Sequence, residues 1–236
     1  MSKPRTLTTP PTNQLLAALP KDDYREMLPG LEPFPLIFGE LLYKPGALVR
    51  HVYFPTSGII SLLADVDGGG MLEVGIVGRE GMAGMPVFMG VKTSPNRAMV
   101  QGAGSALRMK ATALTSMANN GSSLPRLLRR YSYSLWAQLS QSSVCSLYHP
   151  IEARLARWLL MTRDRMEANE FRITQEFLSS MLGVRREGVN KAASNLQQQN
   201  LISYSRGMVT ILKPAGLAAV ACKCYRLIKK EYDREL

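Results

Sequence analysis

The run Arg185-Arg186-Glu187, followed by Asn190 and Lys191, places guanidinium, carboxylate, amide and ammonium groups within two turns of a prospective helix. An arginine can bond guanine O6 and N7 with two parallel donors, and a carboxylate accepts from cytosine N4. The major groove that displays both edges is wide enough to admit an α-helix. Glu187 is the informative residue. A carboxylate near phosphates lowers affinity, so it belongs to base reading or to orienting Arg186 more than to charge attraction. The helix macrodipole gives a second reason for an acid in a first turn.

Those groups need two helices and a turn to position them. Residues 173–196 read as two short helical patterns broken at Gly183. In the first, Phe177, Leu178, Met181 and Leu182 form one apolar stripe behind Thr174, a natural N-cap, with Gln175 beside it on the partner side. In the second, expected over residues 186–198, Val189, Ala192, Ala193 and Leu196 share one face, while Arg186, Glu187, Asn190 and Lys191 share the other. Residues 201–204 and 208–212 are then two β-prone runs joined through Ser205-Arg206-Gly207. That hairpin is a wing with Arg206 at its tip, placed to meet a backbone phosphate.

From residue 173 to about 212 the chain resembles the winged-helix end of the cyclic-AMP receptor protein/Fnr (Crp/Fnr) superfamily of bacterial transcription regulators. The matching positions are Ile173-Thr174, Gly183, Arg186-Glu187, Val189, Leu196 and Gln199-Asn200-Leu201-Ile202-Ser203. The resemblance implies that Arg186, Glu187 and Lys191 contact bases of an operator half-site. Two positions depart from the common pattern: Arg185 stands where many members have serine and Gly188 where they often have threonine. A glycine there costs a helix about 1 kcal/mol relative to alanine.

The remaining sequence agrees with that architecture. A chain of 236 residues that is 46% apolar and 20% charged is long enough for two globular domains. Residues 36–110 alternate β-prone segments with turn residues at intervals of roughly ten, the spacing of a sandwich or barrel; the runs at 59–63 and 72–76 are the strongest, and Pro55-Thr56-Ser57-Gly58 and Gln101-Gly102-Ala103-Gly104 read as turns. The resemblance, which extends through 39–46, 51–61 and 78–100, implies an α+β fold: a Thr- and Pro-rich disordered lead-in over 1–12, a cyclic-nucleotide-binding-type β-roll over 13–122, a connecting helix over 123–149, and a winged helix-turn-helix over 150–236. In the connecting helix Leu128, Tyr131, Leu135, Gln138, Ser142 and Cys145 recur at steps of three and four and form one seam; the resemblance implies a dimer interface there, the alternative being a helix that covers the β-roll, and His149-Pro150 reads as a hinge.

The β-roll's ligand is the open question. Family members that bind cyclic AMP use a Gly-Glu pair and an Arg-Ser pair; the equivalent stretches here are Gly81-Met82-Ala83-Gly84-Met85-Pro86 and Pro95-Asn96-Arg97-Ala98-Met99. No glutamate stands at the ribose position, and Arg97 is shifted by about one place, which on a strand turns a side chain to the other face. Ala83, Gly84, Met85, Asn96, Arg97 and Ala98 are thus candidates for a small-molecule effector that is not obviously a cyclic nucleotide. A regulator without a ligand is the alternative.

Composition narrows the classes further. The net charge is +11, and residues 151–236 carry 15 Lys and Arg against 9 Asp and Glu, a basic balance that suits double-stranded DNA. No apolar run of membrane-spanning length or signal peptide is evident. Three cysteines, Cys145, Cys222 and Cys224, fit a reducing cytoplasm and form no disulfide framework. None precedes Cys145, so an iron–sulfur sensor cluster near the N-terminus is excluded. His51 or His149 could serve a haem, and Cys222-x-Cys224 lacks a second pair for a closed zinc site, so that these cysteines, with Tyr225 and Leu227, are expected to pack a final helix. Two histidines almost a hundred residues apart cannot build a cupin metal centre, and no nucleophile arrangement or phosphate-cradling loop is present. The sequence therefore reads as a non-enzymatic, homodimeric DNA-binding regulator, with RNA polymerase as a further expected partner, no membrane, and no required cofactor or metal. The alternative is a ligand-responsive module that regulates a partner protein without reading DNA.

Overall fold

The computed structural model describes residues 12–118 and 121–235. The lead-in expected over 1–12 lies outside the described residues except for its last position. In chain order the elements are α1 (Gln14–Ala17), α2 (Lys21–Met27), β1 (Glu32–Leu36), β2 (Leu41–Tyr43), β3 (His51–Val66), β4 (Gly70–Val77), α3 (Met85–Phe88), β5 (Arg97–Lys110), α4 (Ala111–Ala118), α5 (Leu124–Tyr148), α6 (Ile151–Met166), β6 (Glu170–Arg172), α7 (Gln175–Leu182), α8 (Arg186–Gln198), β7 (Ile202–Ser205), β8 (Met208–Ile211), α9 (Pro214–Val220) and α10 (Cys224–Glu235). No described helix is long and apolar enough to cross a membrane.

The first half is an antiparallel sheet of order β1-β5-β3-β4, with β2 also paired to β5. It has two long strands where the sequence predicts several short ones. The expected turns at 55–58 and 101–104 are instead bulges in the β3–β5 ladder, where the register shifts between Pro55 and Ile60. A Cβ on Gly58 would stand 2.5 Å from the Gly102 carbonyl oxygen, and one on Gly104 would stand 2.5 Å from that of Ser57. The glycines allow two backbones to cross in contact, which bends the strands and curls the sheet without ending it. Its interior is filled by side chains such as Phe54, Ile60, Ile76, Met82, Ala98, Val100 and Met109.

The second half is built from α6 to α9 with the three-stranded sheet β6-β8-β7, so the wing has a third strand that periodicity alone did not reveal. Its core joins Leu155, Trp158 and Leu159 of α6 to Leu178 and Met181 of α7, Val189 and Leu196 of α8, and Val209 and Ile211 of β8. Leu63 of β3 belongs to this core, and Met71 and Met99 pack against it, so the outer face of the roll is part of the joint between the halves.

The last helix departs from the sequence-based division. α10, assigned to the DNA-binding domain by position, returns to the roll, where Ile228 and Tyr232 enter the first core. Tyr232 accepts a hydrogen bond from Gln138 Nε2 at 2.7 Å. Leu227, expected to pack inward, is exposed. A twelve-residue amphipathic helix needs a partner for its apolar stripe, and α5 with the roll supplies it.

Candidate nucleic-acid interface

Each cap of the helix-turn-helix follows from a local residue. Thr174 is extended and its hydroxyl accepts from Phe177 N at 3.1 Å, opening α7. Gly183 ends it in the left-handed region, with φ 61°. α8 begins at Arg186 as expected and buries Val189, Ala192, Ala193 and Leu196. Glu152 of α6 accepts from Asn195 and Gln199, both at 2.9 Å, and so holds the back of α8. The Arg154 guanidinium donates to the Leu182 carbonyl oxygen, placing a cation at the C-terminus of α7. Gly188 faces Ile151, whose Cδ1 lies 2.9 Å from where a Cβ would stand.

The opposite face of α8 is free. Arg185, Arg186, Glu187, Asn190 and Lys191 are all exposed. Among the described residues the side chains of Arg185, Arg186, Glu187 and Lys191 make no hydrogen bond or ion pair, so Glu187 does not hold Arg186 in the free chain. Asn190 Oδ1 accepts from Gln175 Nε2 at 3.2 Å, which ties the start of α7 to the middle of α8. At the wing tip Arg206 and Gly207 both have positive φ, 50° and 75°, the requirement of a tight two-residue hairpin, and Arg206 is exposed.

Between the helix starts and the wing lies a cleft lined by Arg172, Thr174, Gln175, Arg186, Tyr204 and Arg206. Three guanidinium groups thus converge on one side of the domain. Arg172 and Tyr204 are the members that the sequence reading missed. Arg172 ends β6, which pairs with β8, and only that pairing brings it beside Arg206. The Tyr204 hydroxyl donates to the Ile173 carbonyl oxygen at 2.9 Å, fixing the wing to the chain just before α7. Such a surface can hold phosphates while α8 presents base-reading groups alongside.

The domain is held on the roll through polar as well as apolar contacts. Phe177 of α7 packs on Phe38 with ring centroids 5.7 Å apart. Glu73 of β4 is half-buried at the joint, accepts from Trp158 Nε1 at 2.8 Å, and desolvation there pushes its carboxyl up to about 7. Ser61 Oγ lies 2.7 Å from Glu73 Oε2 and 2.6 Å from Gln101 Oε1, and its one proton can serve only one of them. A protonated Glu73 resolves this, since its own O–H then serves the first contact.

Two groups of expected site residues are placed otherwise. The seam of Leu128, Tyr131, Leu135, Gln138 and Ser142 is buried within the chain, so it is not a dimer face. Tyr131 donates to the Met82 carbonyl oxygen at 3.2 Å, and Gln138 accepts from Ile76 N at 2.7 Å, which binds α5 to its own roll. The face of α5 open to solvent carries Arg129, Tyr133, Trp136, Ser140, Ser143 and Leu147, again at alternating steps of four and three, with Val144 beside them. The candidate effector residues do not form one site either. Ala83 and Met85 are buried in the roll, and Ala83 pairs by backbone with Tyr53. Ala98 points into the roll, whereas Arg97, its neighbour on β5, pairs with Asp65 at 2.5 Å, while Gly84 caps α3 and Asn96 lies in the bend before β5. The alternation of a strand separates Arg97 from residues 83–85.

Residues 153–220 match the family model described as a Crp-like helix-turn-helix domain. No curated protein matches the chain in sequence. Solved structures do match in fold. A protein of the crp/fnr family from Eubacterium rectale superposes with a TM-score of 0.70 at 16% identity over 89% of this chain and 98% of its own. The c-di-GMP responsive global regulator CLP of Xanthomonas campestris superposes with a TM-score of 0.66 at 16% identity over 81% and 99%. FixK2 of Bradyrhizobium japonicum gives 0.66 at 15% identity over 81% and 98%. The chain thus carries a Crp-like helix-turn-helix domain and shares the fold of crp/fnr-family transcriptional regulators.

Proposed function

We propose that the protein is a homodimeric, sequence-specific regulator whose two α8 helices enter successive major grooves of a pseudo-palindromic operator, ~34 Å apart. The observation that carries this reading is the convergence of exposed Arg172, Arg186 and Arg206 beside the unpaired Glu187 and Lys191. Arg186 reads a guanine, Glu187 accepts from a cytosine or orients Arg186, Lys191 reaches a guanine or a phosphate, and Arg185, Thr174 and Gln175 line the approach. Arg172 and Arg206 take backbone phosphates.

The second copy docks on the outward stripe of α5. Trp136 is 63% and Leu147 78% exposed, large apolar side chains at heptad spacing on a 25-residue helix, which a matching helix of a second chain would cover. RNA polymerase is the further partner that such a regulator would contact. An effector, if the roll takes one, has more room in the open cleft lined by Leu48, Val49, Val87 and Val91 with Arg50, Lys92 and Lys110 at its edges than among the packed residues 83–85. The interaction-module alternative has no comparable support, because protein docking does not call for three clustered arginines beside a free carboxylate.

Selection of bound duplexes from a random DNA library tests this, using the wild-type chain and Glu187→Ala together at physiological salt. A two-fold symmetric motif that degenerates at one symmetric position in the variant is the expected result. Recovery of no motif, with or without added metabolite extract, would bring the interaction-module reading forward.

A further inference from the structure

The end of α5 and the loop before α10 bring together four side chains that the DNA-binding reading does not use. Cys145 and His149 lie one helical turn apart at the C-terminal end of α5, and Cys222 and Cys224 flank the start of α10. Their three sulfurs and one ring nitrogen all lie within 4.8 Å of one another. Cys145 Sγ is 3.4 Å from Cys222 Sγ, and Cys224 Sγ is 3.4 Å from His149 Nδ1. Tetrahedral coordination with metal–sulfur distances of about 2.3 Å and metal–nitrogen distances of about 2.0 Å requires ligand-to-ligand edges of roughly 3.5 to 3.8 Å. The cluster meets that requirement after small rotamer adjustments.

The surroundings differ from those of cysteines that merely fill a core. The sulfurs form a small cluster of their own, separate from both apolar cores. Gln141 Nε2 donates to Cys224 Sγ at 3.1 Å, the kind of outer contact that orients a ligating sulfur. Two buried arginines, Arg154 and Arg157, act on the cysteines electrostatically, and Arg157 Nε has no hydrogen-bond partner among the described residues. Three thiolates and a neutral imidazole around a divalent ion leave one net negative charge, which these guanidinium groups would offset.

We propose that Cys145, His149, Cys222 and Cys224 form a Cys3His site for a zinc-class divalent ion, closed by four protein ligands and therefore structural. The ion displaces the thiol protons to solvent and joins three elements at one point: the end of α5, the hinge at Pro150, and α10. That point is where the helix carrying the outward stripe passes into the DNA-binding domain. The site is a staple that fixes the angle between them. The pairing is invisible in sequence because Cys145-x-x-x-His149 and Cys222-x-Cys224 are separated by more than seventy residues and meet only when α10 folds back.

The test is an anaerobic titration of the full-length, reduced, metal-free chain with cobalt(II), followed by displacement with zinc. One equivalent of cobalt per chain with the intense visible bands and sulfur charge-transfer absorption of a tetrahedral thiolate site is expected, together with a thermal midpoint that rises on zinc addition. Cys222→Ser and Cys224→Ser should each weaken cobalt binding by more than about 100-fold, and Gln141→Leu by about 10- to 100-fold. Circular dichroism reports whether the variants fold, and the wild-type titration stands without them. The proposal is overturned if the folded, reduced wild-type chain shows only the weak spectrum of octahedral cobalt, or if the tetrahedral spectrum survives in folded Cys222→Ser and Cys224→Ser chains.

Discussion

Arg186 and Arg206 have the same side chain and different expected tasks, and binding assays can separate them. Arg186→Ala should cost about 1 to 3 kcal/mol on the selected operator and relax preference at one base pair in each half-site. Arg206→Ala should weaken all duplexes about equally and lower the slope of log affinity against log salt by about one. Equal losses on every sequence for Arg186→Ala would remove it from base reading. At the domain joint the decisive residue is Glu73. Its carboxyl is raised in the folded chain, from 4.5 to about 7, so the folded state holds the proton more tightly than the unfolded one. The stability it contributes is full below about pH 4.5 and is lost as pH rises through about 7, up to about 3 kcal/mol in total. The thermal midpoint should therefore fall between about pH 4.5 and about pH 7, and Glu73→Gln, which stays neutral and can still donate to Ser61, should flatten that fall. An unchanged slope in the variant would assign the pH dependence to another group.

At the scale of elements, α5 has two heptad-spaced faces, and the more regular-looking one in sequence is turned inward. The polar member Gln138 fits that inward face because its partners are intramolecular: it bonds Ile76 at both its N–H and its carbonyl oxygen, at 2.7 and 3.1 Å. Substitutions on the two faces should act differently. Trp136→Glu with Leu147→Glu should convert a dimer into a folded monomer in light scattering. Gln138→Leu should leave the oligomeric state unchanged and lower stability by about 1 to 3 kcal/mol, since it strands two buried backbone groups. A monomer from Gln138→Leu with an intact thermal midpoint would reverse this assignment. The same logic explains the strands. Gly58 and Gly102 look like turn residues locally, and they become bulges because the backbones of β3 and β5 cross there in contact.

For the molecule as a whole, α10 is the element that ties the halves together. It carries Ile228 and Tyr232 into the roll, and Tyr225 donates to Asp164 of α6 at 2.8 Å. Deleting residues 224–236 should lower the thermal midpoint of the roll by about 10 °C or more, as expected for losing two buried side chains of about 2 to 5 kcal/mol each. The recognition face of α8 would remain in place, so non-specific DNA binding should persist while operator binding by the dimer weakens. Retention of full operator affinity would separate α10 from control of the DNA-binding domain.

The helix-turn-helix was legible from residue 173 onward because it is local: caps, a glycine turn and one apolar face per helix all lie within about 24 residues, and the helical period fixes which side chains share a face. The fold class and Arg186, Glu187, Lys191 and Arg206 as exposed groups followed from that. Long-range pairing was not available in the same way. The β6–β8 ladder brings Arg172 to the cleft, alternation along β5 sends Arg97 away from residues 83–85, and the return of α10 covers the inner face of α5 and gathers the three cysteines with His149. Periodicity determined that α5 has a stripe to bury. Only the tertiary structure decided which stripe the chain itself would cover, because two faces of one helix competed for the same sheet and the one with hydrogen-bond partners on β4 was taken.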